Sequence, residues 1–463
     1  MIYKTNSVSD IKIAYIGGGS KGWAWGLMGD LADEKELSGI IRLYDIDESA
    51  AKSNEIIGNC LNEVDKAVGK WKYECAPTLE EALIGTDFVI ISILPGTFKE
   101  MDSDVHTPEK YGIYQSVGDT VGPGGDIRAL RTIPMYVTIA KAIKKYAPNA
   151  WVINYTNPMT LCVRTLYKIF PKIKAFGCCH EVFGTQNLIS AALSDMEGIQ
   201  DVPREDIKIN VLGINHFTWL DKISYQGSDL MPLYKEFTNK YYESGYILDE
   251  SSHWINNSFT SANRIKFDLF RRYGIVAAAG DRHLAEFCPG SWYLQNPDKV
   301  KAWMFGLTNV SSRVIDLKKR EERSERLKNK EEFLIIGNSG EEGISMIKAL
   351  LGLGDKITNV NLPNTGQMQD IPFDCVVETN AIFQKDSVTP VVAGILPNPV
   401  NGLVLRHVYN QEAILEAGLT CNKDLAFAAF ANDPLVTCTL DNAESLFNEM
   451  LFNTKEYLAG WDI

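Results

Sequence analysis

The stretch IKIAYIGGGSKG, residues 11–22, decides the fold. An apolar run rich in β-branched residues enters a turn that carries Gly17, Gly19 and Gly22 in the spacing G-x-G-x-x-G, with Ser20 inside it. A strand that ends in such a turn and passes into a helix lets the backbone approach a pyrophosphate, which then accepts hydrogen bonds from N–H groups at the helix N-terminus. The next apolar run, IIRLYDID at 40–47, brings Asp45 to its end. That is close to the offset of roughly 20 residues at which an acidic side chain takes a hydrogen bond from the ribose 2′-hydroxyl. The acid favours NAD over NADP, because a 2′-phosphate would meet like charge.

The same rhythm continues in DFVIISIL at 87–94, AWVINYTN at 150–157 and IKAFGCC at 173–179, each separated from the last by a helix-sized segment. Short buried runs alternating with helices predict βαβ units around a parallel sheet. The expected fold class is therefore α/β. A Rossmann-like doubly wound sheet occupies residues 1–200, and a C-terminal α+β region over 201–463 completes the site. The polar segment EGIQDVPRED at 197–206 marks the boundary, and DLKKREERSERLKNKEEF at 316–333 reads as a solvated helix of mixed charge.

With 463 residues, 45% hydrophobic and 23% charged, the chain has the composition of a globular protein large enough for two such regions. A net charge of -13 argues against partners that are themselves polyanions, nucleic acid or an anionic membrane, and leaves a small molecule as the ligand. The start MIYKTNSVSD lacks the basic residues and apolar run of a signal peptide, and FVIISIL at 88–94 is too short to span a bilayer. A cytoplasmic location is expected. Nine cysteines, an odd number scattered along the chain, are expected to be reduced thiols.

Chemistry-bearing residues gather where strands are predicted to end: VINYTNPM at 152–159, FGCCHEVFG at 176–184 and VLGINHFTWL at 211–220. In a parallel open sheet the carboxyl ends of the strands converge on one crevice, so Asn157, Cys179, His180 and His216 are candidate neighbours there. A thiolate with an imidazole holds a divalent metal and leaves positions open for substrate oxygens. The same residues also read as packed core cysteines and a histidine capping a loop.

The order of these motifs, with GGGS, QSVGDTVGPGG at 115–125, NYTNP, G-x-CH and G-x-NH, resembles the family 4 glycoside hydrolases, the NAD- and manganese-dependent glycosidases, over roughly residues 11–290. The CHEV stretch, Cys179 to Val182, is similar to members that act on α-galacturonides. The resemblance implies a metal held by Cys179 and His216, with Cys178 left to packing. It implies His180 as the general acid, Asn157 on the sugar hydroxyls and the metal, and Asp281 of GDRHLAEF at 280–287 as the base. Two departures stand out: ILPGTFKEM at 93–101 lacks the arginine and paired glycines common in the family, which argues against phosphosugars, and SVGDT at 116–120 leaves Asp119 in place of a glutamate near the metal. The implied chemistry is redox–elimination–addition, with hydride leaving sugar carbon 3, a proton leaving carbon 2, and no net oxidation. Homodimers or homotetramers are expected.

Plainer readings stand beside these roles. Asp281 reads also as a loop cap, His283 and Glu286 as supports or surface residues, and His106, His253 and His407 as structural. Arg128, Arg131 and Arg282 are equal candidates to pair a galacturonide carboxylate. The competing functions are an NAD-dependent hydroxy-acid dehydrogenase, a redox sensor built on the two adjacent cysteines, and an α-glucosidase, α-galactosidase or α-glucuronidase of the same family.

Overall fold

The structure, a computed structural model, describes residues 1–248, 261–337 and 339–463. A ten-stranded sheet forms its centre, and five of its strands are the predicted runs: Ser7–Ile16, Leu37–Tyr44, Phe88–Ile91, Trp151–Asn154 and Lys174–Gly177. These pair in parallel, with Ile13 opposite both Ile41 and Phe88, and with Ile153 opposite both Ile90 and Phe176. Phe88–Ile91, Trp151–Asn154 and Lys174–Gly177, with the second half of Ser7–Ile16, are buried almost throughout, which is why these runs read as apolar. Lys70–Cys75 adds a parallel edge strand beyond Leu37–Tyr44. Its charged, alternating sequence KWKYEC suits an edge, where one row of side chains meets water, and this alternation separates it from the central runs.

The boundary near residue 200 does not interrupt the sheet. Lys356–Pro363 pairs antiparallel with Lys174–Gly177 through Asn361 and Gly177, and Val376–Gln384 and Ser387–Pro390 extend the sheet further. Phe176 and Phe383 meet edge to face across this junction with ring centroids 5.1 Å apart, so one apolar core is shared by both halves. A second, four-stranded sheet is built on the antiparallel pair Lys208–Ile214 and Phe217–Tyr225. Its tight connection is Asn215-His216, and His216 lies in left-handed backbone at φ 64°. A β-turn residue other than glycine in that region is held there by its surroundings.

Two close approaches fix the crevice. The turn after Ser7–Ile16 starts at Gly17, whose φ is +95° and whose missing Cβ would stand 1.9 Å from the Ser92 carbonyl oxygen. The long helix Gly122–Tyr146 packs so tightly at its start that a Cβ on Gly125 would lie 2.4 Å from the Thr120 carbonyl carbon. The loop bearing Asp119 and Thr120 is thereby pressed onto the helix that bears Arg128. Neither contact has room for a methyl group. Gly17→Ala is therefore expected to cost about 2 kcal/mol or more of stability through backbone strain alone and to abolish dinucleotide binding, read by thermal melting and by fluorescence titration; an unchanged melt with normal binding would contradict the packing described.

Candidate active site

Two histidines and an aspartate form the centre. Asp119, His216 and His283 place one ligand atom each within 4.8 Å of one another, and the imidazoles of His216 and His283 stack with centroids 3.7 Å apart. Asp119 stands on the loop before the long helix, His216 in the hairpin turn, and His283 on the short helix Asp281–Phe287, so three separate segments converge. All three are largely removed from water, with Asp119 the most open at 22%.

Hydrogen bonds set their protonation. Thr120 Oγ1 donates to Asp119 Oδ1 at 2.6 Å and lies 2.9 Å from His216 Nδ1. Since the hydroxyl proton is committed to the carboxylate, His216 Nδ1–H must donate to Oγ1, which leaves the Nε2 lone pair for a ligand. Burial, with the charge of His283 beside it, pulls His216 down to about 3, so the ring is neutral. His283 goes the other way: burial disfavours its charge, but Glu181 Oε1 at 3.1 Å from Nδ1 and Asp119 Oδ1 at 3.8 Å from Nε2 outweigh burial and raise it to about 10. The cations in turn overcome burial at Asp119 and Glu181 and hold both carboxyls well below the usual range.

Around this centre the loops are braced by side chains with no predicted motif role. Glu181, the acid of CHEV, also accepts the Gly280 N–H, tying the start of helix Glu181–Glu197 to the segment that carries His283. Glu286 Oε1 accepts the N–H groups of Val117 and Gly118 at 2.7 and 2.9 Å and holds the loop of Asp119; burial raises it to about 7. His283 and Glu286 are thus buried parts of the site, not surface residues. Their sequence signal was the pattern GDRHLAEF itself, which places both on one face of a helical turn four residues wide.

His180 sits at the rim with 27% of its side chain exposed. Its Nδ1 is 2.9 Å from Glu341 Oε1, and Trp23, at the start of the first helix, lies against it with centroids 6.3 Å apart. Burial opposes its charge, yet Glu341 raises it to about 9. Glu341 arrives from the second half of the chain, just before helix Gly343–Leu350, and nothing in the sequence near it announces the contact. Asn157 donates from Nδ2 to Asp119 Oδ2 at 3.1 Å.

At the nucleotide end, Asp45 Oδ2 accepts the Gly19 N–H at 2.8 Å, Ser20 Oγ accepts the Trp23 N–H at 3.2 Å, and Gly22 caps the helix Trp23–Asp33. The glycines and the serine expected to hold a dinucleotide therefore lie in one turn, and the acid, from the end of the neighbouring strand, is hydrogen-bonded to it.

Two expected site residues sit in surroundings of their own. Asp281 is fully buried, and its carboxylate accepts the N–H groups of Ile265 and Lys266, at 3.3 and 3.1 Å, at the start of helix Arg264–Tyr273. These contacts are those of the loop-cap reading, while burial raises the carboxyl to about 6. Cys179 is buried, its carbonyl accepts from Asn359 Nδ2 at 3.4 Å, and its thiol stays outside the group formed by Asp119, His216 and His283. Burial and the nearby Glu378 and Glu181 push that thiol well above its ordinary value, so without a cation beside it the thiolate is disfavoured. Cys178 packs in the apolar core with Sγ 3.4 Å from Met346 Sδ. His106 pairs with Glu109 at 3.0 Å, His407 bonds the Phe287 carbonyl at 2.8 Å, and His253 lies outside the described residues.

Residues 12–195 match the pattern of the family 4 glycosyl hydrolases and residues 211–436 that of the family 4 glycosyl hydrolase C-terminal domain. An alpha-galacturonidase from Thermoanaerobacterium saccharolyticum is 66% identical over the whole of both chains. Among solved structures, a Bacillus subtilis protein described as a glucosidase is 52% identical, with TM-score 0.91 over 96% of this chain and 100% of that one. The 6-phospho-beta glucosidase of Thermotoga maritima, solved with manganese, NAD+ and glucose-6-phosphate, shares the fold at 22% identity, with TM-score 0.75 over 96% and 99% of the two chains.

Two measurements check the assignments. The proton on His283 stabilises the fold fully below about pH 6.5, its unfolded value, and that contribution is lost as pH rises through about 10. A divalent cation that takes the His283 lone pair must displace this proton, and one that takes the Cys179 thiolate displaces a second, so manganese titrated into weakly buffered protein at pH 8 is expected to release about two protons and to bind more tightly as pH rises; release of one proton or none would remove at least one of the two from the ligands. Asp281→Asn keeps an acceptor for the helix N–H groups and is expected to retain more than about a tenth of wild-type turnover, whereas loss of a catalytic base lowers turnover by roughly 10²–10⁴-fold.

Proposed function

Because the chain belongs to family 4 of the glycosyl hydrolases, we propose that it hydrolyses α-galacturonides by the redox–elimination–addition route, with NAD and a divalent metal such as manganese. The substrate class rests on identity to an alpha-galacturonidase along the full chain. The chemistry rests on one observation: a buried Asp–His–His group with a neutral imidazole is charge-coupled to His180, whose ring lies against Trp23 at the end of the Gly-rich turn.

The donor set fits the metal. Two imidazole nitrogens and a carboxylate oxygen suit manganese, and the positive charge of an ion would favour the thiolate of Cys179, which burial alone disfavours. Asp119, His216 and His283 would hold the ion, with Cys179 brought to it as the thiolate donor. Bound in this crevice, the ion supplies a Lewis acid and the dinucleotide a reversible hydride acceptor. The remaining work belongs to side chains. Gly17, Gly19, Ser20 and Gly22 shape the turn that receives the pyrophosphate, and Asp45 exchanges its bond with Gly19 for one with the ribose. Asn157, fixed on Asp119, orients the sugar hydroxyls. His180 holds a proton while its Nδ1 is anchored on Glu341, so Nε2–H is the atom that faces the glycosidic oxygen and protonates it as the bond breaks. The nine cysteines are free thiols, which supports a reducing, cytoplasmic setting.

Aryl α-galacturonide hydrolysis is expected to require NAD, manganese and a thiol reductant together, with no net accumulation of NADH; accumulating NADH with no released sugar would instead mark a dehydrogenase. Cys179→Ser is expected to abolish the manganese-dependent activity and keep NAD binding, while Cys178→Ser is mild. Full activity in Cys179→Ser would overturn the thiolate's part.

A further inference from the structure

Three arginines near the crevice present different degrees of completion. Arg131 is consumed: its Nη1 donates to Asp104 Oδ1 at 2.9 Å, its Nη2 to Asp104 Oδ2, and its Nε to the Pro95 carbonyl at 2.9 Å. Arg282 is also engaged, with Nη2 donating to Thr308 Oγ1 at 2.7 Å and to the Ser116 carbonyl. Arg128 differs. It is only 6% exposed, its Nε donates to the Asn157 carbonyl at 3.1 Å, and neither of its terminal nitrogens has a hydrogen bond or an ion pair among the described residues. Those two nitrogens are not sealed in protein either, because they keep contact with solvent-accessible space.

A buried guanidinium with no carboxylate in hydrogen-bond contact is costly, since the more distant charges of Asp119 and Asp104 only partly offset its desolvation. The position gives the cost a use. Arg128 is anchored to the backbone of Asn157, whose side chain is bonded to Asp119, so the guanidinium is fixed beside the residues proposed above to orient the sugar and hold the metal. Two parallel N–H groups in one plane match a carboxylate, and fixing Nε on Asn157 presents them already oriented.

Resting on the proposed function, we infer that Arg128 binds the C6 carboxylate of the galacturonide and is the residue that sets the preference for a uronic acid over the neutral sugar. A neutral galactoside carries a hydroxymethyl group there and leaves the buried charge unpaired, so discrimination comes from the site as much as from the substrate.

The test compares kcat/KM on aryl α-galacturonide and aryl α-galactoside in the NAD- and manganese-loaded enzyme, for wild type, Arg128→Gln and Arg128→Lys. Wild type is expected to prefer the galacturonide strongly. Arg128→Gln is expected to lose about 100-fold or more on the galacturonide and far less on the galactoside, collapsing the preference, and Arg128→Lys is expected to recover part of it because charge returns without the fork. NAD titration of the variants is expected to match wild type. Equal losses on both substrates, or a loss traced to weaker NAD binding, would overturn the assignment and make Arg128 a structural or cofactor-facing residue. A wild-type enzyme that turns over the galactoside but not the galacturonide would overturn the substrate reading itself, and the assignment with it.

Discussion

Glu181 holds the site together. One of its oxygens accepts the Gly280 N–H and the other faces His283 Nδ1 at 3.1 Å, so a single buried carboxylate fastens the loop after the strand Lys174–Gly177 to the helix that carries His283. Without it the imidazole would be free to rotate away from His216, and the three-residue group would open. A ligand nitrogen is useful only when its other nitrogen is tethered, and here both histidines are tethered: His216 through Thr120, His283 through Glu181. The glutamate of the CHEV stretch is therefore explained by what it orients.

The sheet and the nucleotide turn were legible in the sequence because buried parallel strands are continuously apolar and the Gly-rich turn has a steric reason for each residue. Lys70–Cys75 was not, since an edge strand alternates and carries lysines. Nor was the passage of Lys356–Pro363 and Val376–Gln384 into the first sheet, because pairing between segments nearly 200 residues apart leaves no local mark. Of the site, Asn157, Cys179, His180 and His216 drew attention by their position after predicted strands, and Asp119 only through the resemblance of the loop SVGDT to the family. His283 was visible only as part of a motif whose aspartate drew attention first, and Glu341 was invisible. Asp281 kept two readings for a physical reason: an acid after glycine at a helix start satisfies N–H groups as readily as it takes a substrate proton.

The charge distribution has a cost that the fold alone does not justify. Asp119, Glu181, His283 and Arg128 are largely withdrawn from water, and each buried ion carries a penalty of several kcal/mol before pairing. Apolar residues of equal volume would be the more stable choice. Retaining ions there makes sense when a dication and an anionic sugar complete the pairing, so that binding and local order rise together. The neutral His216, the protonated His283 and the high Cys179 thiol are then states of the protein waiting for a cation, and each shifts when one arrives.

In the proposed reaction the glycosidic bond breaks by elimination across carbons 1 and 2 after oxidation at carbon 3, not by direct displacement at the anomeric carbon. Hydrolysis of an aryl α-galacturonide in deuterated water, followed by NMR of the released galacturonate, reads this directly. Solvent deuterium is expected at carbon 2, because the proton passes from there to a base of the crevice, which exchanges it with solvent before carbon 2 is reprotonated. Product carrying only protium at carbon 2 would contradict it.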